Sequence, residues 1–310
     1  MYIDYKELAP CIGCGLRPQF IEQLNSSAII TLRCGCCEKG INGSTWDELK
    51  EKWNILNKRD QLTEVCADSI FHVHTYRCKH AGDEDDEAYI RKAMELGAKR
   101  IIFTDHAPFP GNPFGNRMGI EELPEYISTL KKLQKKFMGR ISVQIGLEVE
   151  YLPSFMDYYR DLEANPDLEW LILGQHMYEY EPGVYSFSDV KEVKNQVEYI
   201  GLCEAMIEGM KTGIFRVCAH PDRAFRRRKV WDEHMAELSE RIINTAIETG
   251  TVLEDNVSSY RRKHQHWDEF WELLKDITDL DENKKAFWIR GLDAHSVKEL
   301  DYFRSEEKGD

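Results

Sequence analysis

An α/β fold, with strands and helices alternating around a parallel sheet, is the class this sequence predicts, and three observations carry it. Seven short apolar or β-branched runs recur from about residue 65 onward. Longer amphipathic stretches lie between them, with apolar residues three and four positions apart. Gly97, Gly213 and Gly250 stand where helix C-caps belong. Alternation of this kind brings the strands parallel and covers them with helices. Seven strands favour a closed or nearly closed barrel over an open sheet.

In chain order, residues 1–60 come first and have a different texture. CIGC (Cys11, Cys14) and CGCC (Cys34, Cys36, Cys37) are joined by polar, glycine-rich connections with little apolar periodicity. Two Cys-x2-Cys pairs nineteen residues apart have the spacing of a four-thiolate zinc ribbon. Cys11, Cys14, Cys34 and Cys37 are therefore expected to hold one structural zinc, with free thiols the plainer alternative. So small a segment needs a staple of that kind.

A second domain, residues 65–305, follows. Its strand candidates are SIFHV, KRIIFTD, ISVQIGLEVE, LEWLILGQH, GIFRVCAH, GTVLEDN and AFWIRGLDAH. Its helix candidates include DEAYIRKAMELG, PEYISTLKKLQKKF, DVKEVKNQVEYIGLCEAMIEGMKTG and DEHMAELSERIINTAIETG. Residues 104–120, TDHAPFPGNPFGNRMGI, read as a long loop suited to bordering a site.

The functional signal is positional. FHVHTYRCKHAG holds His72, His74 and His80, and alternation along a strand puts His72 and His74 on one face. Asp105-His106 follow IIFT, Glu148 follows VQIGL, His176 follows LILGQ, His220 follows FRVCA, and Asp293 and His295 follow FWIRG. In an α/β barrel the strand ends meet on one face, where active sites are built. Imidazoles with carboxylates and no thiolates favour zinc, manganese or iron used catalytically. Nine ligands exceed what one ion takes, so a di- or trinuclear centre bridged by Glu148 is expected, a device suited to phosphate-ester hydrolysis. His234, His264 and His266 lie in polar stretches and read as solvated surface residues; Cys66, Cys78, Cys203 and Cys218 read as core or near-site residues.

A formal net charge of −14 and a pI near 5.3 argue against a general nucleic-acid binder, but not against a small phosphorylated substrate. No apolar run reaches the ~18 residues that span a bilayer. MYIDYKELAPC has neither basic flank nor apolar signal core, so a cytoplasmic protein with reduced thiols is expected.

The motifs H-x-H-x5-H (His72, His74, His80), T-D-H (His106), G-L-E (Glu148), G-Q-H (His176), A-H-P-D (His220) and D-A-H (Asp293, His295) resemble those of the PHP (polymerase and histidinol phosphatase) family. The resemblance covers about residues 68–300. It implies a distorted, TIM-like (β/α)7 barrel and phosphoester hydrolysis with two or three divalent ions, zinc, manganese or iron. By the same resemblance, His72, His74, Glu148 and Asp293 hold one ion, Glu148, His176 and His220 a second, and His80, His106 and His295 a third. A hydroxide between ions would be the nucleophile, with Glu148, Asp293 and His295 as the catalytic group.

HTYRCKHAGDEDDEAYIRKAMELGAKRIIFTDHAP and GQHMYEYEPGVYSFSD are similar to the histidinol-phosphatase branch. That branch implies phosphate-binding arginines after the late strands, for which Arg226 in HPDRAFRRR and Arg261 in EDNVSSYRRK are the candidates. CIGCGLRP and LRCGCCEKGINGSTWDELKEKWN resemble small Lar-like (restriction-alleviation) zinc ribbons, which implies a structural or partner-binding role. The leading expectation is a phosphomonoesterase with histidinol phosphate as the first substrate to try. A nucleotide phosphodiesterase or exonuclease, and a non-enzymatic partner-binding module, are the alternatives.

Overall fold

A computed structural model of the chain describes residues 8, 20–23, 30–33, 40–56, 68–187, 198–262, 265–280 and 287–304. Three short strands, β1 (Phe20–Gln23), β2 (Ile30–Arg33) and β3 (Gly40–Gly43), form an antiparallel meander in that order. A helix over Trp46–Leu56 follows, and Leu32, Leu49 and Trp53 are fully buried in this unit. The ribbon cysteines Cys11, Cys14, Cys34 and Cys37, together with Cys36 and Cys66, lie outside the described residues.

The remaining strands are β4 (Ser69–Val73), β5 (Arg100–His106), β6 (Ser142–Val149), β7 (Trp170–Leu173), β8 (Met177–Glu181), β9 (Val184–Phe187), β10 (Val217–Cys218), β11 (Val252–Asn256) and β12 (Trp288–Gly291). Seven of them make one parallel sheet in the order β12-β11-β10-β7-β6-β5-β4. The circuit closes on itself: Leu292 N–H donates to Phe71 O (2.9 Å), Ala294 N–H to His72 O (3.1 Å) and His74 N–H to Ala294 O (2.8 Å). The fold is thus a seven-stranded α/β barrel, and all seven predicted strand runs enter it. β8 and β9 form a separate hairpin whose turn uses Gly183 at φ +76°.

Burial on both faces explains why these strands read as continuous apolar runs. On β6, Val143, Ile145, Leu147 and Val149 pack outward against the helices, so Gln144, Gly146 and Glu148 point into the lumen. The same alternation sends Ile102, Trp170, Ile172, Val217, Val252 and Ile289 inward, where they close the barrel's floor. Above that floor the inward positions turn polar, which sets the site at the strands' carboxyl ends.

The helices form where their caps and apolar stripes direct. Asp85 accepts from Ala88 N–H at the start of Asp86–Glu95, and Asp232 does the same for Met235 N–H ahead of Glu233–Thr249. Gly97, Gly213 and Gly250 all take left-handed φ values (73°, 72° and 67°), the conformation that ends a helix and suits glycine. Among the described residues no helix is long and apolar enough to cross a membrane.

Candidate metal centre

Regular alternation would turn His72 outward with Ile70 and His220 outward with Cys218, since both of those pack in the outer core. Both histidines instead adopt left-handed backbone, φ 66° and 34°, and face the lumen. At His72 the β4–β5 register shifts between Ile70 and Val73, which lets Phe71 and His72 both point inward. Asp293 (φ 49°) is a third strained position. Each such residue costs about 1–3 kcal/mol, and strain of this kind persists where packing fixes it for a purpose.

Glu148 is the hub. Its Oε2 lies 3.0 Å from His106 Nδ1, 3.3 Å from His74 Nε2 and 3.5 Å from His72 Nε2. Its Oε1 lies 2.8 Å from His220 Nε2 and 3.8 Å from His176 Nε2. Asp293 Oδ1 is 3.4 Å from His74 Nε2 and 3.5 Å from His295 Nδ1, and His295 Nε2 is 3.0 Å from His80 Nε2. All nine candidate ligands are therefore brought together. Three donor sets, His72–Glu148–His220, His72–His74–Asp293 and His80–His106–His295, each have ligand atoms within 4.8 Å of one another.

The fit to a cation follows from what these atoms lack. His72 Nε2, His74 Nε2, His106 Nδ1 and Glu148 Oε2 are buried and have no aligned hydrogen-bond partner, although they crowd together. Buried polar atoms left unsatisfied cost about 1–3 kcal/mol each, a penalty that a metal ion shared among their lone pairs removes. Burial, with His295 and His106 nearby, holds His74 well below the usual histidine range. Burial likewise takes His80 and His176 down to about 4, so these imidazoles are neutral and ready to ligate at neutral pH. Burial alone pushes the Glu148 carboxyl up, but the surrounding histidines, His176 first, hold it well below the usual carboxylate range.

A further ring of partners aims the candidate ligands. His72 Nδ1 meets Glu254 Oε1 at 2.7 Å, and Glu254 Oε2 accepts from His220 N–H (3.1 Å). His176 Nδ1 meets Glu150 Oε1 at 3.2 Å, while His80 Nδ1 and His295 Nδ1 face the carbonyls of Cys78 (2.7 Å) and Asp293 (3.0 Å). A partner on one ring nitrogen fixes the tautomer and leaves the other nitrogen for the metal. Two glycines make room for this: a Cβ at Gly174 would sit 1.9 Å from Glu148 Oε1, and one at Gly291 would sit 1.7 Å from Glu254 Oε1. Gly291→Ala is thus expected to push Glu254 off His72 and weaken metal binding by roughly 10–100-fold, read by competition with a chelator.

Glu254 and Glu150 were not singled out in the sequence, yet each is an acid inside or just after an apolar strand run, which is the signal that could have found them. Beside the ligands opens a cavity of about 300 Å³, walled by Phe114, Met177, Arg117, Arg223, Arg226 and Arg262. Arg226 is where expected. Arg261 is not: it pairs with Glu299 (3.0 Å) and stacks over the Tyr302 ring, while its neighbour Arg262 faces the cavity. Consecutive residues leaving the short helix Val257–Tyr260 point in different directions, so only one of the pair can face inward. His266 also differs from expectation. Its side chain is largely buried, with Nδ1 3.2 Å from Asp222 and its ring 3.7 Å from that of Tyr260. His234 is exposed, and His264 lies outside the described residues.

Known proteins resemble this chain in sequence and in fold. The PHP domain profile matches residues 71–258. The Bacillus subtilis (strain 168) protein named histidinol-phosphatase is 25% identical over 259 residues, which cover 74% of this chain and 94% of that protein. A Deinococcus radiodurans protein named "Probable histidinol-phosphatase" is 32% identical over 170 residues, so the match spans 52% of this chain and only 62% of that relative. A crystal structure of the Lactococcus lactis histidinol phosphate phosphatase, complexed with zinc, L-histidinol and phosphate, aligns with a TM-score of 0.57 at 18% identity over 76% of this chain and 91% of its own. A Listeria monocytogenes structure aligns at 0.61 and 19%, over 75% of this chain and 97% of its own. At such identities the structural likeness concerns the fold.

Proposed function

The chain belongs to the PHP domain family, and on that premise we propose that it is a metal-dependent phosphomonoesterase whose first candidate substrate is histidinol phosphate. The observation that carries this reading is the set of unpartnered buried donors, Glu148 Oε2, His72 Nε2, His74 Nε2 and His106 Nδ1, beside an arginine-walled cavity. Relatives named histidinol-phosphatase, and a fold relative holding zinc, L-histidinol and phosphate, support the choice of substrate and metal.

In this reading His72, His74, Glu148 and Asp293 hold one ion. Glu148, His176 and His220 hold a second, and His80, His106 and His295 a third. When bound, such ions supply Lewis acidity toward a phosphoryl oxygen and activate water as the nucleophile. Glu148, Asp293 and His295 are the protein groups nearest the chemistry. Arg223, Arg226 and Arg262 face the cavity with guanidinium groups whose planar donors match phosphate oxygens. Arg223 also donates to Asp293 Oδ2 (3.2 Å), which ties the phosphate side of the cavity to the ligand set. Phe114 and Met177 give the leaving alcohol an apolar wall. Cys11, Cys14, Cys34 and Cys37 hold a further, structural zinc in a domain of residues 1–60 that serves folding or a protein partner, ahead of the catalytic domain of residues 65–305.

Phosphate release by zinc- or manganese-loaded protein tests the reading, with histidinol phosphate, simple phosphomonoesters, mononucleotides and a bis-aryl phosphodiester as substrates. Histidinol phosphate is expected to turn over fastest, and His74→Ala to lower that rate by more than about 100-fold, beyond the usual loss on removing a ligand's supporting partner. Activity confined to the diester or the nucleotides would overturn the monoesterase in favour of a phosphodiesterase. No metal-dependent turnover of any ester would leave a binding module.

A further inference from the structure

Cys78 stands inside the H-x-H-x5-H motif, between His74 and His80, and its side chain is completely buried. Its Sγ lies 3.1 Å from His74 Nδ1 and 3.0 Å from Asp105 Oδ1. Asp105 is itself fixed, accepting Thr75 N–H at 2.7 Å and the Thr75 hydroxyl at 3.0 Å, and Arg77 donates to that same hydroxyl. On the other side of the His74 ring, Nε2 faces Glu148 and Asp293 with no hydrogen-bond partner.

We infer that Cys78 is a positioning residue for the metal centre, its thiol linking the Asp105 carboxylate to the His74 imidazole and so aiming His74 Nε2 at the ion. Donor and acceptor roles close along the chain. His74 Nδ1–H donates to sulfur, the S–H donates to Asp105 Oδ1, and the Nε2 lone pair is left for the metal. His72 and His176 reach the same end through direct carboxylates, Glu254 and Glu150. At His74 the thiol stands between the imidazole and the Asp105 carboxylate, within hydrogen-bond reach of both. The competing arrangement makes Cys78 a thiolate ligand, because Sγ also groups with His74 and His106 within 4.8 Å.

This inference rests on the metal reading of the site, and its test separates the two. Full-length protein is loaded with cobalt(II) and with zinc, and the stoichiometry and dissociation constants are measured by chelator competition for wild type, Cys78→Ser, Cys78→Ala and Asp105→Asn. Thermal melting in chelator reports the fold of each. We expect no sulfur-to-cobalt charge-transfer band at wild-type Cys78, near-wild-type affinity in Cys78→Ser, and one ion held roughly 10–100-fold more weakly in Cys78→Ala and Asp105→Asn. The ribbon thiolates are removed from the spectrum by reading the barrel contribution as the difference between wild type and Cys78→Ser. A charge-transfer band lost in Cys78→Ser would show a thiolate ligand and overturn the inference. Unchanged affinity in both Cys78→Ala and Asp105→Asn would overturn it too, and Asp105→Asn decides alone should Cys78→Ala melt as an unfolded chain. Failure of wild type to bind metal at the histidines would overturn the metal reading itself.

Discussion

Glu148→Gln is expected to strip the barrel of most of its bound metal and to lower phosphatase turnover by well over 100-fold. Its carboxylate is almost fully buried at the centre of five imidazoles, His72, His74, His106, His176 and His220, all within 3.8 Å of its two oxygens. The amide keeps the shape but removes the charge. One oxygen also becomes an NH2 group, whose hydrogens point at ring nitrogens that need to face a cation. The loss thus exceeds the roughly 10–100-fold typical of a ligand's supporting partner. Because shape is kept, the melting temperature in chelator is expected to stay near that of wild type. In excess zinc the wild-type protein is expected to melt higher than the variant, since a ligand bound only by the folded state stabilises it. Elemental analysis of the purified variant checks the first half, and melting with and without zinc the second. Wild-type metal content in Glu148→Gln would remove Glu148 from the centre.

How much of this site could be read before the fold was known differs from residue to residue. The nine candidate ligands were legible because they sit in or just after six of the seven apolar runs, and short runs of that kind alternating with helices read as strands buried on both faces. Gly97, Gly213 and Gly250 marked helix ends for a reason local to each residue, the freedom to take φ above zero. The orientation of His72 was not legible in the same way. Simple alternation does put His72 and His74 on one face, but it puts Phe71 on the other. The structure brings Phe71, His72 and His74 all inward through a register shift and a left-handed residue. That shift depends on the pairing of β4 with β5, which no window of a dozen residues contains. Glu254 and Glu150 escaped notice for a related reason. Their importance lies in partners 182 and 26 residues away in the chain. Arg261 was misplaced because the resemblance points to an arginine after a late strand but not to its direction, and His266 because a polar stretch reports polarity but not burial. Arg262 turns inward where Arg261 does not, and His266 is enclosed by Asp222 and Tyr260.

Arg117→Ala carries the largest expected loss of stability, and the reason lies in a buried pair that joins the loop at residues 107–119 to the metal centre. The guanidinium donates to both oxygens of Glu150, at 2.7 and 3.0 Å, and to the carbonyls of Ala107 (3.1 Å) and Gly115 (3.2 Å). It also lies over the rings of Phe109 and Phe114. Truncation leaves the Glu150 carboxylate in the interior without its cation, a loss of about 3–5 kcal/mol. For a chain of this size that lowers the melting temperature by on the order of 10 °C. The pH dependence has a definite sign. Burial pushes the Glu150 carboxyl up, but Arg117, joined by His176, more than reverses this and holds it below the usual range. Its contribution is therefore present above the unfolded carboxylate pKa of ~4.3 and fades as pH falls through the lower folded value. The gap between wild type and Arg117→Ala is accordingly expected to be at full width at pH 7 and to narrow as pH falls below ~4.3. Glu150→Gln in the Arg117→Ala background should restore part of the stability, because it removes the stranded charge, and that recovery is read as the coupling in a double-mutant cycle. Catalysis should not recover with it. Glu150 also holds His176 Nδ1, and Arg117 holds the loop that brings Phe114 to the cavity. A double mutant that regained both stability and turnover would mean that the pair only fills space; stability without turnover would mean that loop and ligand are held in register by one carboxylate.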